Sequence, residues 1–347
     1  MKMNQLGKTD LSVSELCLGT MTFGGQTSEA DAHTQMDMAL DAGINFLDAA
    51  EMYPVNPVRA ETIGLTEEIL GNWFEKTGRR NDYVLATKHS GEDMQLVRNG
   101  APISSETIPE TVEGSLKRLK TDHIDLYQLH WPNRGSYMFR KNWFYDPGRP
   151  NKDAILQDMA DILGALGREI EKGRIRHIGL SNESAWGTSM WLKVAEDTGG
   201  PRMESIQNEY SLMCRLADTD LAEMMIHEEV SLLPFSPLAA GFLTGKYQNG
   251  AVPEGSRMSL NDTMGGRKTD RAFDAVDVYS KVADEAGLDL ALMSLAWTAQ
   301  RPFVASSIFG ATTTDQLAHL LQASDMTLSD DVLKALDEAH KSVPMPY

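Results

Sequence analysis

The chain has 347 residues, 41% of them hydrophobic, which is ample for a full core and within the length of a single α/β barrel. Its formal net charge of −18 argues against a nucleic-acid partner and obliges any anionic ligand to find local cations. No apolar run approaches a membrane span and the first residues carry no basic-then-apolar leader, so a soluble, cytoplasmic protein without a membrane partner is expected.

In chain order, MNQLGKTDLSVS has Gly7 between extended segments and predicts a β-hairpin that plugs the bottom of a barrel. The first barrel strand lies near ELCLGT. Thr27 and Ser28 offer a helix cap, and Ala32, Met36, Ala39 and Leu40 follow at helical spacing, closed by Gly43. INFLD is the second strand and VLATK the third. Thr107 and Pro109 open a helix with Val112, Leu116 and Leu119 on one face, and IDLYQLH follows. A stripe of Met159, Ile162, Leu163, Leu166 and Ile170, closed by Gly173, leads to IRHIGLS. Helices over about 185–198 and 217–229 lead to MESIQN and VSLLPFS. Helices over about 270–286 and 289–300 precede VASSIFG, and one near 313–322 follows it. The alternation predicts a (β/α)8 barrel, with residues 1–347 as one domain. Long connections over 89–106, 131–152 and 237–269 all leave the carboxyl face, where such loops carry function. The second is rich in aromatic residues, including Trp131, Tyr137, Phe139 and Trp143, and suits an apolar substrate wall or a self-packed loop. Cys17 and Cys214 show neither disulfide nor metal spacing.

These strands stop on useful side chains: Asp48, Lys88, His130, Ser181 with Asn182, Gln207 with Asn208, Phe235 with Ser236, and Gly310, while Tyr53 lies five residues past Asp48. In a parallel barrel all carboxyl ends converge on one face. Singly, each has a plain alternative: Asp48 a helix cap, Lys88 a solvated charge, Tyr53 loop packing, His130 a core histidine. As a set they suit proton delivery to a carbonyl oxygen. A lysine ammonium beside a tyrosine lowers the phenol's pKa, an aspartate holds the lysine, and a histidine orients the substrate. No residue among them reads as a nucleophile.

Several segments resemble the aldo-keto reductases: LGTMTFGG, GINFLDAAEMY, ATK, DLYQLHWP, GRIRHIGLSN and SPLAAGFLTGKY. The resemblance runs from residue 4 to residue 345 and is closest to the bacterial Tas-type branch, itself related to potassium-channel β subunits. It implies an eight-stranded α/β barrel that reduces a small-molecule carbonyl substrate with NADPH, with NADH as the other cofactor to consider. By that resemblance Tyr53 is the proton donor, Lys88 tunes it, Asp48 pairs with the lysine and lies beside the cofactor, and His130 orients the carbonyl. Ser181, Asn182 and Gln207 would hold the nicotinamide amide and Phe235 would stack on its ring. Gly19, Thr20 and Met21 would line the floor. Ser236, Pro237, Leu238 and Gly241 would follow the pyrophosphate, with Lys246 and Arg257 as its cations. The segment FGATTTDQL lacks the lysine and arginine that many relatives place at the 2′-phosphate. Gly310, Ala311, Thr312 and Gln316 stand there instead, offering backbone N–H groups and a neutral amide.

Other chemistries fit less well. The eight histidines are scattered, so no metal site is expected. Glu51, Glu183 and Glu209 are candidate glycosidase carboxylates, but the fourth and seventh strands end on His130 and Phe235. The stronger rival is a cofactor-binding subunit with slow or vestigial turnover. A homo-oligomer is compatible with the sequence, which does not specify it.

Overall fold

The computed structural model describes residues 1–148 and 150–347. It opens with two antiparallel strands, β1 (Met3–Gln5) and β2 (Ser12–Ser14), paired with Asn4 opposite Val13. Gly7 in their turn has φ +54°, and a Cβ there would lie 2.5 Å from the Glu204 carbonyl oxygen. Leu6, Leu11 and Val13 pack with Cys17, Phe46, Ala86, Leu126, Leu233, Ala305 and Ile308. Those partners alternate inward along the barrel strands, so the hairpin plugs the barrel as expected. It also bonds to the starts of several strands: Asn4 Nδ2 donates to the Ala305 carbonyl and the Gly7 N–H to Ser231 Oγ.

Eight parallel strands follow: β3 (Leu16–Gly19), β4 (Phe46–Asp48), β5 (Val84–His89), β6 (Ile124–Leu129), β7 (Ile175–Ser181), β8 (Met203–Gln207), β9 (Ser231–Leu232) and β10 (Ser307–Phe309). Each pairs with the next in sequence from β3 to β9, and β10 pairs with β3, Ser307 opposite Leu16. The ring closes through parallel bridges Leu232–Val304 and Phe235–Ile308. Three backbone bonds carry this seam: Leu232 N–H to Phe303 O, Ala305 N–H to Leu232 O, and Ile308 N–H to Pro234 O. The seventh barrel strand, read as VSLLPFS, therefore keeps only two residues of regular ladder. Pro234 accepts at the seam but has no N–H to give.

The outer layer is α1 (Glu29–Asp41), α2 (Leu65–Thr77), α3 (Thr107–Leu119), α4 (Lys152–Glu171), α5 (Ala185–Thr198), α6 (Asp220–Glu228), the single turn α7 (Arg257–Leu260), α8 (Asp270–Ala286), α9 (Leu290–Ala299), α10 (Thr314–Leu320) and α11 (Asp330–Ser342). Starts are set by side-chain caps: Ser28, Asn151, Ser184, Thr269, Asp289, Thr313 and Ser329 each accept from the backbone N–H three residues on. The sequence reading omitted α2, the single turn α7 and α11. Yet Ile69, Leu70, Trp73 and Phe74 form a buried stripe on α2 at helical spacing. The main core lies between strands and helices. A smaller cluster at the carboxyl mouth gathers Ala50, Met52, Tyr53 and Val97, with Met21, Val55, Met94 and Trp131 packed against it.

Candidate active site

Asp48 is the last residue of β4, and residues 49–51 are laid along β5 before a turn in which the Tyr53 N–H donates to the Ala50 carbonyl. The Ala49 N–H donates to the Ala86 carbonyl and the Glu51 N–H to the Lys88 carbonyl. Tyr53 is thereby brought over Lys88 and buried with it. The Lys88 ammonium group donates to Asp48 Oδ2 at 2.7 Å, to the Ala49 carbonyl at 2.7 Å and to the Tyr53 hydroxyl at 3.4 Å. Its three hydrogens are all engaged, so its direction is fixed. Burial works against the lysine charge, but the Asp48 carboxylate and Tyr53 outweigh it and raise its pKa. For Tyr53, burial raises the phenol's pKa and the Lys88 charge pulls it back only in part. The lysine acts in the expected sense, yet burial is the larger effect and the net shift is upward. Tyr53 therefore holds its proton at neutral pH.

His130 follows β6 directly. Its ring meets that of Tyr53 edge-on, centroids 5.9 Å apart, and lies 4.9 Å from that of Trp131. Burial, with Lys88 and His89 nearby, keeps its pKa well below the ordinary histidine value. The ring is neutral, and its buried Nδ1 has no partner among the described residues.

Beside these groups, Ser181 Oγ donates to the Gln207 carbonyl at 2.8 Å. Asn182, at φ +54°, donates through Nδ2 to the His130 carbonyl and to Ser181 Oγ, and its Oδ1 is buried without a partner. Gln207 Nε2 donates to Asp48 Oδ1 at 2.8 Å. Gly19 packs against the Ile308 side chain, and the Thr20 hydroxyl donates to the Asp48 carbonyl. Met21 Sδ lies 4.0 Å from Arg257 Nη2. Phe235, Ser236 and Leu238 are half-buried and Pro237 is buried. Ser236 (φ +54°) and Gly241 (φ +97°) give their segment its tight path, and a Cβ on Gly241 would lie 3.1 Å from Lys246 Cε. Lys246 and Arg257 have no carboxylate partner within 4.0 Å among the described residues. Arg257 is brought down to about 10, first by burial and then by Arg267. Lys246 is exposed as a residue, yet desolvation around its ammonium group and the Arg257 charge lower its pKa. At the start of α10 the Thr312 N–H and hydroxyl both donate to Gln316 Oε1, so this amide occupies a backbone N–H that the sequence reading left open for phosphate. Gly310 is exposed and Ala311 buried beside them.

The sequence reading missed two parts of this face. Gln128 donates to Asp48 Oδ1 at 3.3 Å and accepts from Gln207 Nε2 at 3.1 Å. A signal was available, because Gln128 sits two residues before His130 and so shares its face of the strand. Glu209 accepts from Arg140 at one oxygen and from Arg267 at the other, each at 2.7 Å. The Tyr347 hydroxyl lies 3.4 Å from the second oxygen. No sequence pattern joins those four positions. Glu51 is likewise paired with Arg98, and Glu183 with Arg134. The three carboxylates weighed for glycoside chemistry are thus all neutralised by arginine.

The family model of the aldo/keto reductase family matches residues 15–341. The chain belongs to the aldo/keto reductase family. It is an oxidoreductase of that family, whose members generally use NAD(P)H. The chain is 42% identical, over its full length and 99% of the relative, to "Protein tas" of Escherichia coli (strain K12). It is 31% identical to the "Uncharacterized oxidoreductase YrpG" of Bacillus subtilis, over 97% of this chain and 95% of the relative. A "Probable voltage-gated potassium channel subunit beta" of Arabidopsis thaliana is 32% identical over 99% of this chain and 98% of the relative. The family's dinucleotide fits the residues present. Among the described residues, Asn182 Oδ1 is a buried acceptor without a donor, and Lys246 and Arg257 are cations without a carboxylate partner.

Proposed function

We propose that this aldo/keto reductase reduces aldehyde or ketone groups to alcohols with NADPH, with Tyr53 as the proton donor. The observation that carries the reading is the Lys88 ammonium group, held by Asp48 and Ala49 and directed at the Tyr53 hydroxyl. When bound, the cofactor supplies a hydride. Tyr53 gives its proton to the carbonyl oxygen as negative charge gathers there. Lys88 stabilises the phenolate that remains. Neutral His130 orients the same oxygen. Ser181, Asn182 and Gln207 would hold the carboxamide, Phe235 would offer its face to the ring, and Gly19, Thr20 and Met21 would line the floor. Ser236, Pro237, Leu238 and Gly241 would line the diphosphate, with Lys246 and Arg257 as its cations. Gly310, Ala311, Thr312 and Gln316 would line the place of the 2′-phosphate, with the Thr312 donors already engaged by Gln316. Because Gln316 already accepts from Thr312, its Nε2 is the group left to donate, and the preference over NADH is smaller than a charged clamp gives.

The apolar mouth of Met21, Val55, Met94 and Trp131 suits a carbonyl substrate with an apolar body. We read residues 1–347 as one cytoplasmic domain, free or as a homo-oligomer, without nucleic acid, membrane or metal. A second reading, a cofactor-binding subunit with slow turnover, draws on the relative named as a channel subunit. A panel of aldehydes and ketones with NADPH and NADH, followed at the nicotinamide absorbance, separates the two. Turnover of apolar aldehydes, faster with NADPH, is the expected result. Tight binding of NADPH without turnover of any carbonyl favours the subunit, and equal or better use of NADH removes the NADPH preference.

A further inference from the structure

The buried floor between Asp48, Gln128 and Gln207 fixes which end of each amide faces which way. Asp48 Oδ1 is a carboxylate oxygen and only accepts, so the atom of Gln207 at 2.8 Å from it must be the amide nitrogen. For the same reason the atom of Gln128 at 3.3 Å is its nitrogen. Gln128 therefore turns its oxygen to Gln207, and that oxygen takes the second hydrogen of Gln207 Nε2 at 3.1 Å. Both hydrogens of Gln207 are thus drawn inward, to two different acceptors, and two contacts fix the plane of the amide. Its Oε1 has no partner among the described residues. Asn182 is fixed by the same logic. Its nitrogen is held by the His130 carbonyl, and its buried oxygen has no donor among the described residues. The register supports the arrangement, since Gln128 stands opposite Lys88 and Gln207 opposite Ser181.

We propose that Gln128 is a positioning residue for cofactor selection. By taking one hydrogen of the Gln207 amide while Asp48 takes the other, it makes Gln207 present a rigid acceptor to the bound nicotinamide. With Asn182 Oδ1 this gives two acceptors for the two hydrogens of one carboxamide NH2 group. A dinucleotide whose carboxamide is replaced by an acetyl group has no hydrogens to offer and leaves both oxygens unsatisfied. Gln128 is fully buried and acts through Gln207. The inference rests on the nicotinamide reading given above.

The test is a fluorescence titration of the full chain with NADPH and with its 3-acetylpyridine analogue. It compares wild type, Gln128→Leu and Gln128→Glu, with circular dichroism as the check on folding. The wild type is expected to bind NADPH at least about tenfold more tightly than the analogue. Gln128→Leu keeps the volume but loses the acceptor, and that ratio should fall by at least about threefold. Gln128→Glu retains an oxygen that can accept from Gln207, and it should keep the ratio near the wild-type value. A role in packing alone predicts the reverse, because leucine suits a buried site better than an acid does. An unchanged ratio in Gln128→Leu, or equal loss in both variants, overturns the proposal. Should Gln128→Leu not fold, Gln128→Met is read in its place by the same criterion. A wild type that binds neither NADPH nor NADH refutes the nicotinamide reading, and the proposal with it. A wild type that binds both dinucleotides but does not discriminate against the analogue overturns the proposal alone.

Discussion

At the scale of single residues, the proposed chemistry depends on a proton kept on Tyr53 and a charge kept on Lys88. Tyr53→Phe removes the proton and little else. Its kcat should fall by roughly 10²–10⁴, while the dissociation constant for NADPH stays within about twofold. Steady-state rates and a binding titration check the two halves, and unaltered turnover would refute the donor assignment. The pH profile follows from the upward shift of the tyrosine. Tyr53 must be protonated to act, so the rate of reduction should hold steady across neutral pH. It should decline only above the ordinary tyrosine value of about 10. Removing the charge that pulls the phenol down, in Lys88→Met, should move that decline to still higher pH while lowering the plateau. A wild-type decline setting in near pH 8 would mean that another group controls the step. The convergence of Asp48, Lys88 and His130 was legible in the sequence because strand ends in a parallel barrel share one face. The net direction of the Tyr53 shift was not, because it depends on how deeply the loop after β4 buries the ring.

At the scale of elements, two contacts join segments far apart in sequence. The hairpin of β1 and β2 seals the bottom of the barrel through Leu6, Leu11 and Val13. Leu11→Ala should cost about 2–5 kcal/mol in a denaturant titration. The kcat of the folded molecules should stay within about twofold, since the chemistry lies at the opposite end. Glu209, just beyond β8, ties Arg140 in the loop before α4 to Arg267 in the loop before α8. Breaking a buried pair costs roughly 3–5 kcal/mol. Glu209→Gln should therefore speed hydrogen exchange in segments 131–151 and 237–269 together, whereas Arg140→Met should loosen the first more than the second. Independent behaviour of the two loops in Glu209→Gln would show that they are not linked there. The strands and most helices were legible from apolar periodicity and from the cap offered by Ser28. The Glu209 junction was not, because four segments meet at it only after folding and no local spacing records the meeting. The shortness of β9 could have been read from Pro234, which a central strand tolerates poorly.

At the scale of the whole molecule, pH acts through buried histidines as well as through the surface. His89 is brought down to about 3, mainly by burial and then by the Arg98 charge, and His130 also lies well below its ordinary value. Both are neutral when folded. The unfolded chain takes up their protons below about pH 6.5, and the native chain does not. Their contribution is thus fully present above about pH 6.5 and is lost as the pH falls towards the folded values. Tm should hold near neutrality and decline through the interval from about 6.5 to 5, before most carboxylates titrate. His89→Gln should flatten part of that decline, and a flat Tm across the interval in the wild type would contradict it.

The same ring sets an order in which the chain gains its neighbours. From β3 to β9 each barrel strand pairs with the one made just before it, but β3 receives its second partner only from β10. Leu16 waits for Ser307, so most of the chain emerges from the ribosome before the first strand is flanked on both sides. Until then its N–H and C=O groups and the apolar side chains around Cys17 lack the cover that Ala305 and Ile308 provide. A nascent chain arrested before residue 303 is therefore an open sheet with two free edges. The molecule is most vulnerable to association with its own copies during synthesis, at a stage that the finished barrel no longer displays.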